Sequence, residues 1–202
     1  PLQLISLLSL KSSLKDPLNT FQDWDPAPTF SKPEFPVWCT WSGIKCDKKT
    51  NQVTTLDLSR RNLSGIIPAD ITYISHLHHL NLSGNAFDGT LPLSIFDFPF
   101  PRTLDISHNY FNSTFPPGIS RLRSLTHLNA YSNSFIGPLP NETIHLRYLE
   151  YLNLGGSYFE GPIPGSYGSI PRLKFMHLAG NNLTGPIPNE LGFLNQLEHM
   201  EV

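Results

Sequence analysis

A unit of constant length runs through most of this chain. An apolar residue opens it at Val53, Leu77, Leu125, Leu149, Leu173 and Leu197, and Pro101 takes that place in the third unit, so every step is 24 residues. Self-similarity at a fixed period of this size marks a solenoid, whose units can bury an apolar face only against their neighbours. The shared template reads LxxLxLxxNxLxGxIP. Its fourth and sixth positions are Leu56/Leu58, Leu80/Leu82, Leu104/Ile106, Leu128/Ala130, Leu152/Leu154 and Met176/Leu178. That alternation belongs to a strand with one buried face.

The other template positions have their own physical tasks. Asn85, Asn109, Asn133 and Asn181 fill the ninth position, where a buried amide can satisfy backbone groups of adjacent coils. Phe87, Phe111, Phe135 and Phe159 occupy the eleventh in four consecutive units and are expected to stack as an aromatic spine. Gly65, Gly89, Gly137, Gly161 and Gly185 hold a turn, and a proline follows at the sixteenth position. Arg61 and Ser157 replace the ninth-position Asn, and Ser113 replaces a turn glycine. The sequence assigns no role to Arg61 or Ser113.

The expected fold is an α/β solenoid of 24-residue repeats with a parallel sheet on its concave surface. Residues 1–52 form its N-terminal cap, and 53–202 form six repeats and a truncated seventh. In the cap an amphipathic helix is expected around Ile5, Leu8, Leu10 and Leu14, followed by Phe21 and Trp24. Cys39 and Cys46 sit in VWCTWSGIKC, a setting that favours a short disulfide loop beside two tryptophans; two unrelated buried thiols are the alternative. A disulfide implies an oxidising compartment. The glycosylation triplets at Asn62, Asn81, Asn112, Asn141 and Asn182 point independently to a secretory route. The chain starts at Pro1 without a leader, which suggests that a signal peptide has been removed, and it stops within a repeat, as a fragment would.

Charge excludes some partners. The net charge is −2 with both signs scattered, so no basic stripe offers itself to nucleic acid. No apolar run reaches the length of a membrane span. No catalytic site, cofactor loop or metal set is legible. Asp57 and Asp105 share a column about 10 Å apart but flank Asn81 on an open surface. His79 and His127 are equally distant, too far for one ion, and His78 and His79 point to opposite faces.

In each repeat the third, fifth, seventh and eighth positions point out of the concave sheet. From the fourth repeat onward this face changes from ordinary polar surface to aromatics beside residues without bulk. The candidate peptide-binding set is Asn129, Tyr131, Tyr151, Asn153, Gly155, Gly156, Phe175, His177, Ala179, His199 and Glu201. Aromatic anchors beside a shallow glycine floor would suit an extended peptide. Seven strands at about 4.8 Å span roughly 29 Å, whereas a dozen extended residues need roughly 40 Å. Only the N-terminal part of such a peptide is therefore expected to rest here. Tyr158 stands at the edge of this face, as a contact or as a filler at the strand exit.

The LSGIIP-type turns, the cap motif WCTWSGIKC, and the segments GGSYFEG (155–161) and HLAGN (177–181) resemble plant leucine-rich-repeat receptor-kinase ectodomains over the whole chain. The particular similarity is to the subgroup that senses CLE-type, TDIF-like peptides. The resemblance implies a right-handed superhelix and a membrane-anchored parent serine/threonine kinase with an apoplastic ectodomain. It also implies a peptide lying along the concave sheet and a co-receptor kinase ectodomain joining at later repeats. A defence module of the polygalacturonase-inhibitor type, or a scaffold, is the alternative; such an inhibitor would favour a charged concave face.

Overall fold

The computed structural model describes residues 2–27 and 35–202; Pro1 and residues 28–34 of the expected cap lie outside the described residues. The chain opens with helix α1, Leu2–Ser13, whose buried side carries Ser6, Leu7 and Leu10. Leu14 continues that stripe just beyond the helix, in a two-residue strand. The expected apolar face needs correction at Ile5, which is 53% exposed. Ile5 stands two residues from Leu7 and so faces the opposite side of the turn. Ser6 fixes the helix by donating its hydroxyl to the Asp70 carbonyl at 2.6 Å, and Lys11 donates to the Trp24 carbonyl at 2.8 Å.

Eight strands form the main sheet, lying side by side in the order in which they occur along the chain. They are β1 Ile44–Cys46, β2 Val53–Asp57, β3 His79–Asn81, β4 Thr103–Asp105, β5 His127–Asn129, β6 Tyr151–Asn153, β7 Phe175–His177 and β8 His199–Glu201. β1 runs antiparallel to β2, and every later pairing is parallel. The register is in line, pairing Leu56, Leu80, Leu104, Leu128, Leu152, Met176 and Met200 as one inward column. Because the unit length never changes, equivalent residues meet side by side on every coil.

On the opposite side each repeat makes one short 3₁₀ turn, from Ala69–Tyr73 to Asn189–Phe193. Pro68, Pro92, Pro140, Pro164 and Pro188 immediately precede five of them, their fixed φ suiting that entry. A second strip of short parallel pairings joins Ile136–Pro138, Tyr158–Pro162 and Asn182–Thr184.

The core between these surfaces is one continuous column. Phe87, Phe111, Phe135 and Phe159 stack with centroids 6.4, 6.0 and 5.9 Å apart and planes within 15° of parallel. The expected spine is therefore present. The asparagine ladder runs alongside. Asn109, for example, donates to the Leu82 and Ile106 carbonyls at 3.0 and 3.1 Å and accepts the Phe87 N–H at 3.1 Å.

Arg61, at the ladder position of the first repeat, instead donates to the Asp57 carbonyl at 3.2 Å and to the Ser42 hydroxyl at 3.3 Å. Its guanidinium also lies 5.9 Å from the Phe21 ring centroid. It thereby ties the first coil to the cap. Cys39 and Cys46 are disulfide-bonded with their Cα atoms 5.6 Å apart. Beside that loop Trp24 stacks on Trp41 at 5.4 Å and donates its indole N–H to the Ser42 carbonyl at 3.0 Å. Ser113 donates its hydroxyl to the Thr114 carbonyl at 3.2 Å; nothing further explains it.

Candidate functional site: the concave face

The outward residues of the sheet fall into columns. The third-position column reads Thr55, His79, Thr103, His127, Tyr151, Phe175, His199. Its last four members form an unbroken ladder of rings. His127 and Tyr151 stack at 3.9 Å, Tyr151 and Phe175 at 4.3 Å, and Phe175 and His199 at 4.8 Å, with planes 5–8° apart. Strand spacing sets this geometry, since flat rings at one register position on adjacent parallel strands are brought to near contact distance. His127 lies outside the set drawn from the sequence, yet it is the first rung. Its shared unit position with Tyr151 was the signal available for it. Burial pushes the His127 imidazole below its ordinary value, opposed by the Asp105 carboxylate; burial first, then the nearby cations and His78, does the same to His79.

The fifth-position column changes in kind along the sheet. Asp57, Asn81, Asp105, Asn129 and Asn153 each accept the backbone N–H two residues on, at 2.9–3.2 Å. This is the local side-chain-to-backbone bond of an Asx turn, and it shapes the exit of each strand. Asn129 also donates to Asp105 at 3.2 Å, and Asn153, which is buried, donates to the Tyr151 hydroxyl at 3.2 Å. His177 and Glu201 break the series. Glu201 stands between two imidazoles, 3.2 Å from His177 Nε2 and 2.8 Å from His199 Nε2.

The glycine floor inferred from the sequence takes a different form. Gly155 is buried, and a Cβ there would lie 2.8 Å from the Ala179 carbonyl oxygen and 2.9 Å from His177 Nε2. The bare backbone at Gly155 is occupied by the His177 ring of the next coil, so it offers no open space. Gly156 has a φ of +63°, the left-handed conformation that the eighth position adopts in every repeat, and Tyr131 packs against it. Tyr131 in turn meets His177 at 5.4 Å and His108 at 5.3 Å. The exposed relief is therefore a ring ladder and a second cluster of Tyr131 and His177, ending at Glu201, with Ala179 partly exposed beside it. Apolar side chains can rest on the rings, and Glu201 with the imidazoles can exchange hydrogen bonds with a polar backbone.

Among the other residues singled out, Tyr158 is 57% exposed and lies in the second strip of strands. The sequon residues Asn62, Asn112, Asn141 and Asn182 are exposed. Asn81 is partly buried on β3, with its carbonyl oxygen accepting from both Ser83 groups. Among the described residues no helix is long and apolar enough to cross a membrane.

Comparison with known proteins places this architecture. The Leucine Rich Repeat family model matches residues 52–74, 76–98, 101–122 and 172–194. The ectodomain of the Arabidopsis thaliana receptor kinase HAESA, in complex with an IDA peptide hormone, superposes with a TM-score of 0.88 at 30% identity, over 99% of this chain and 32% of that one. The chain is a leucine-rich-repeat solenoid whose fold matches plant receptor-kinase ectodomains. Among those receptors it is similar to TDR. It is 57% identical over 75 residues to the leucine-rich repeat receptor-like protein kinase TDR of Arabidopsis thaliana, 37% of this chain and 7% of that protein. It is 59% identical to the crystal structure of a TDR receptor, with a TM-score of 0.74 over 82% of this chain and 29% of that one. The chain thus spans under a third of each of these receptors.

Proposed function

We propose that this chain is the N-terminal part of a receptor-kinase ectodomain, exposed on the outer side of the plasma membrane, that senses a CLE-type, TDIF-like peptide for developmental signalling. The peptide lies along β5–β8, with apolar side chains on the Tyr151–Phe175 ladder and polar groups toward Tyr131, His177, His199 and Glu201. Asn129, Asn153, Gly155 and Gly156 serve by holding the strand exits and the packing behind those side chains, with Ala179 at the rim. A co-receptor ectodomain joins at other repeats; HAESA is known in a crystal structure with the peptide hormone IDA and the co-receptor SERK1. The observation that carries the reading is the ring ladder, a connected row of large partly exposed side chains on an otherwise polar sheet. Such rows are unusual on solvated surfaces and supply binding energy when covered.

Titration of the intact ectodomain with a synthetic TDIF-type peptide tests the proposal, with Tyr151→Ala and Tyr131→Ala variants alongside. Both side chains point outward, so their loss leaves the core intact. We expect tight binding that each variant weakens tenfold or more, about 1.4 kcal/mol. Tight binding indifferent to both variants would move the peptide off this surface. An absence of binding by the parent protein would remove the ligand assignment. Gly155 is a poor probe, because any side chain there collides with the Ala179 carbonyl.

A further inference from the structure

Beyond the first repeat the cations of this chain are confined to one part of each coil, where Asp97, Glu150 and Glu198 also stand. After Arg61 the chain contains six Lys and Arg residues: Arg102, Arg121, Arg123, Arg147, Arg172 and Lys174. Arg121 ends its 3₁₀ turn, and the other five fall between a 3₁₀ turn and the strand that follows it. They therefore line one edge of the solenoid, where each coil re-enters the sheet. Arg121 is bound to Asp97 and Lys174 to Glu150. Among the described residues Arg102, Arg123, Arg147 and Arg172 have no carboxylate within salt-bridge distance.

At the centre of this edge a cleft of about 750 Å³ is lined by Ser120, Arg121, Arg123, His145, Arg147 and Tyr148. Arg123 and Arg147 share one unit position on consecutive coils, so they repeat at the coil spacing of roughly 4.8 Å. Tyr148 is 50% exposed, with the Arg172 guanidinium 4.8 Å from its ring centroid. Two guanidinium groups without a carboxylate partner, side by side on adjacent coils, repel one another. An anionic partner would remove that cost, and the planar fork of arginine pairs best with carboxylate or phosphate.

We propose that this edge binds a linear carboxylate-bearing polysaccharide, with successive carboxylates on Arg123 and Arg147 and a sugar ring against the exposed half of Tyr148. Two observations favour a polymer of acidic sugars over an acidic protein segment. Arg123 and Arg147 stand one coil spacing apart at the same unit position, matching a chain whose charges recur at a short fixed interval. The cleft contains one aromatic residue and no aliphatic one, whereas protein interfaces centre on a larger apolar core. The disulfide and the sequons put the chain on the secretory route, away from nucleic acid. This surface is separate from the concave ladder, and the inference does not depend on the peptide assignment.

Calorimetric titration of the full chain tests it, using an oligogalacturonate, the same oligomer fully methyl-esterified, and poly-glutamate. We expect the acid oligomer to bind, with affinity falling as salt rises. We expect the ester and poly-glutamate to bind at least tenfold more weakly. An Arg123→Gln/Arg147→Gln variant should weaken the acid oligomer tenfold or more while its thermal midpoint stays unchanged, since neither side chain makes a hydrogen bond in the fold. Equal binding of the ester would overturn the role of the carboxylates. Equal binding of poly-glutamate would reassign the edge to acidic protein segments. No binding of the acid oligomer, or binding untouched by the double variant, would remove the proposal.

Discussion

Ser157 shows what one residue contributes to a repeating interior. In the other full rungs an asparagine side-chain oxygen accepts the backbone N–H of the stacked residue one coil earlier: Leu63 to Asn85, Phe87 to Asn109, Phe111 to Asn133 and Phe159 to Asn181. Ser157 is too short to do so for Phe135, and its own buried hydroxyl has no partner. Ser157→Asn should complete the ladder and stabilise the chain by about 1 kcal/mol, raising its thermal midpoint by roughly 2–4 °C. Calorimetric melting of the two proteins checks this, and an unchanged or lowered midpoint would show that the gap is occupied in another way. The ladder and its exceptions could be read directly from the sequence, because every rung recurs at one unit position. The roles of Arg61 and Gly155 could not. The partners of Arg61, Ser42 and Phe21, stand in the cap, which has no repeat register, and Gly155 is small because of a histidine ring projecting from the next coil.

At the scale of the element, the concave ladder joins a binding surface to an acid sensitivity. Burial holds the His127 imidazole below its ordinary value of 6.5, so the unfolded chain takes up that proton at a higher pH than the folded chain. The stability this provides is complete above the unfolded value and is lost as the pH falls through the folded one. His79 shifts in the same direction. Stability measured by denaturant titration should therefore decline as the pH falls below about 6.5, and His127→Gln should decline less, with His79 accounting for part of the remainder. A His127→Gln slope equal to that of the parent would assign the effect elsewhere. The sequence placed Tyr151, Phe175 and His199 on one column. It did not convey that they touch, since contact depends on the twist and ring angles of neighbouring strands. It also did not convey that Asn129 and Asn153 hold their own strand exits.

Across the whole molecule, stability in a stack of this kind is close to a sum of nearest-neighbour terms. The cap contacts the first coils directly, through Arg61, Ser42 and the helix contact between Ser6 and Asp70. Replacing both cysteines, Cys39→Ser/Cys46→Ser, should cost about 2–4 kcal/mol, and the loss should be local. Hydrogen exchange is expected to accelerate in β1–β3 while amides in β6–β8 keep their protection; uniform acceleration would mean that the stack unfolds as one unit. The Asx column has a further consequence. A full coil carries three outward positions along its strand and strand exit, the third, fifth and seventh. In the first five coils the middle one is bound to its own backbone, and in the fifth the seventh is the buried Gly155, so those coils offer an outside molecule at most two letters each. From the sixth coil, where His177 stands in place of the Asx residue, the middle letter is no longer tied to its own backbone. The vocabulary of the surface therefore grows along its length, and ligands that differ at one end should be told apart better there than at the other.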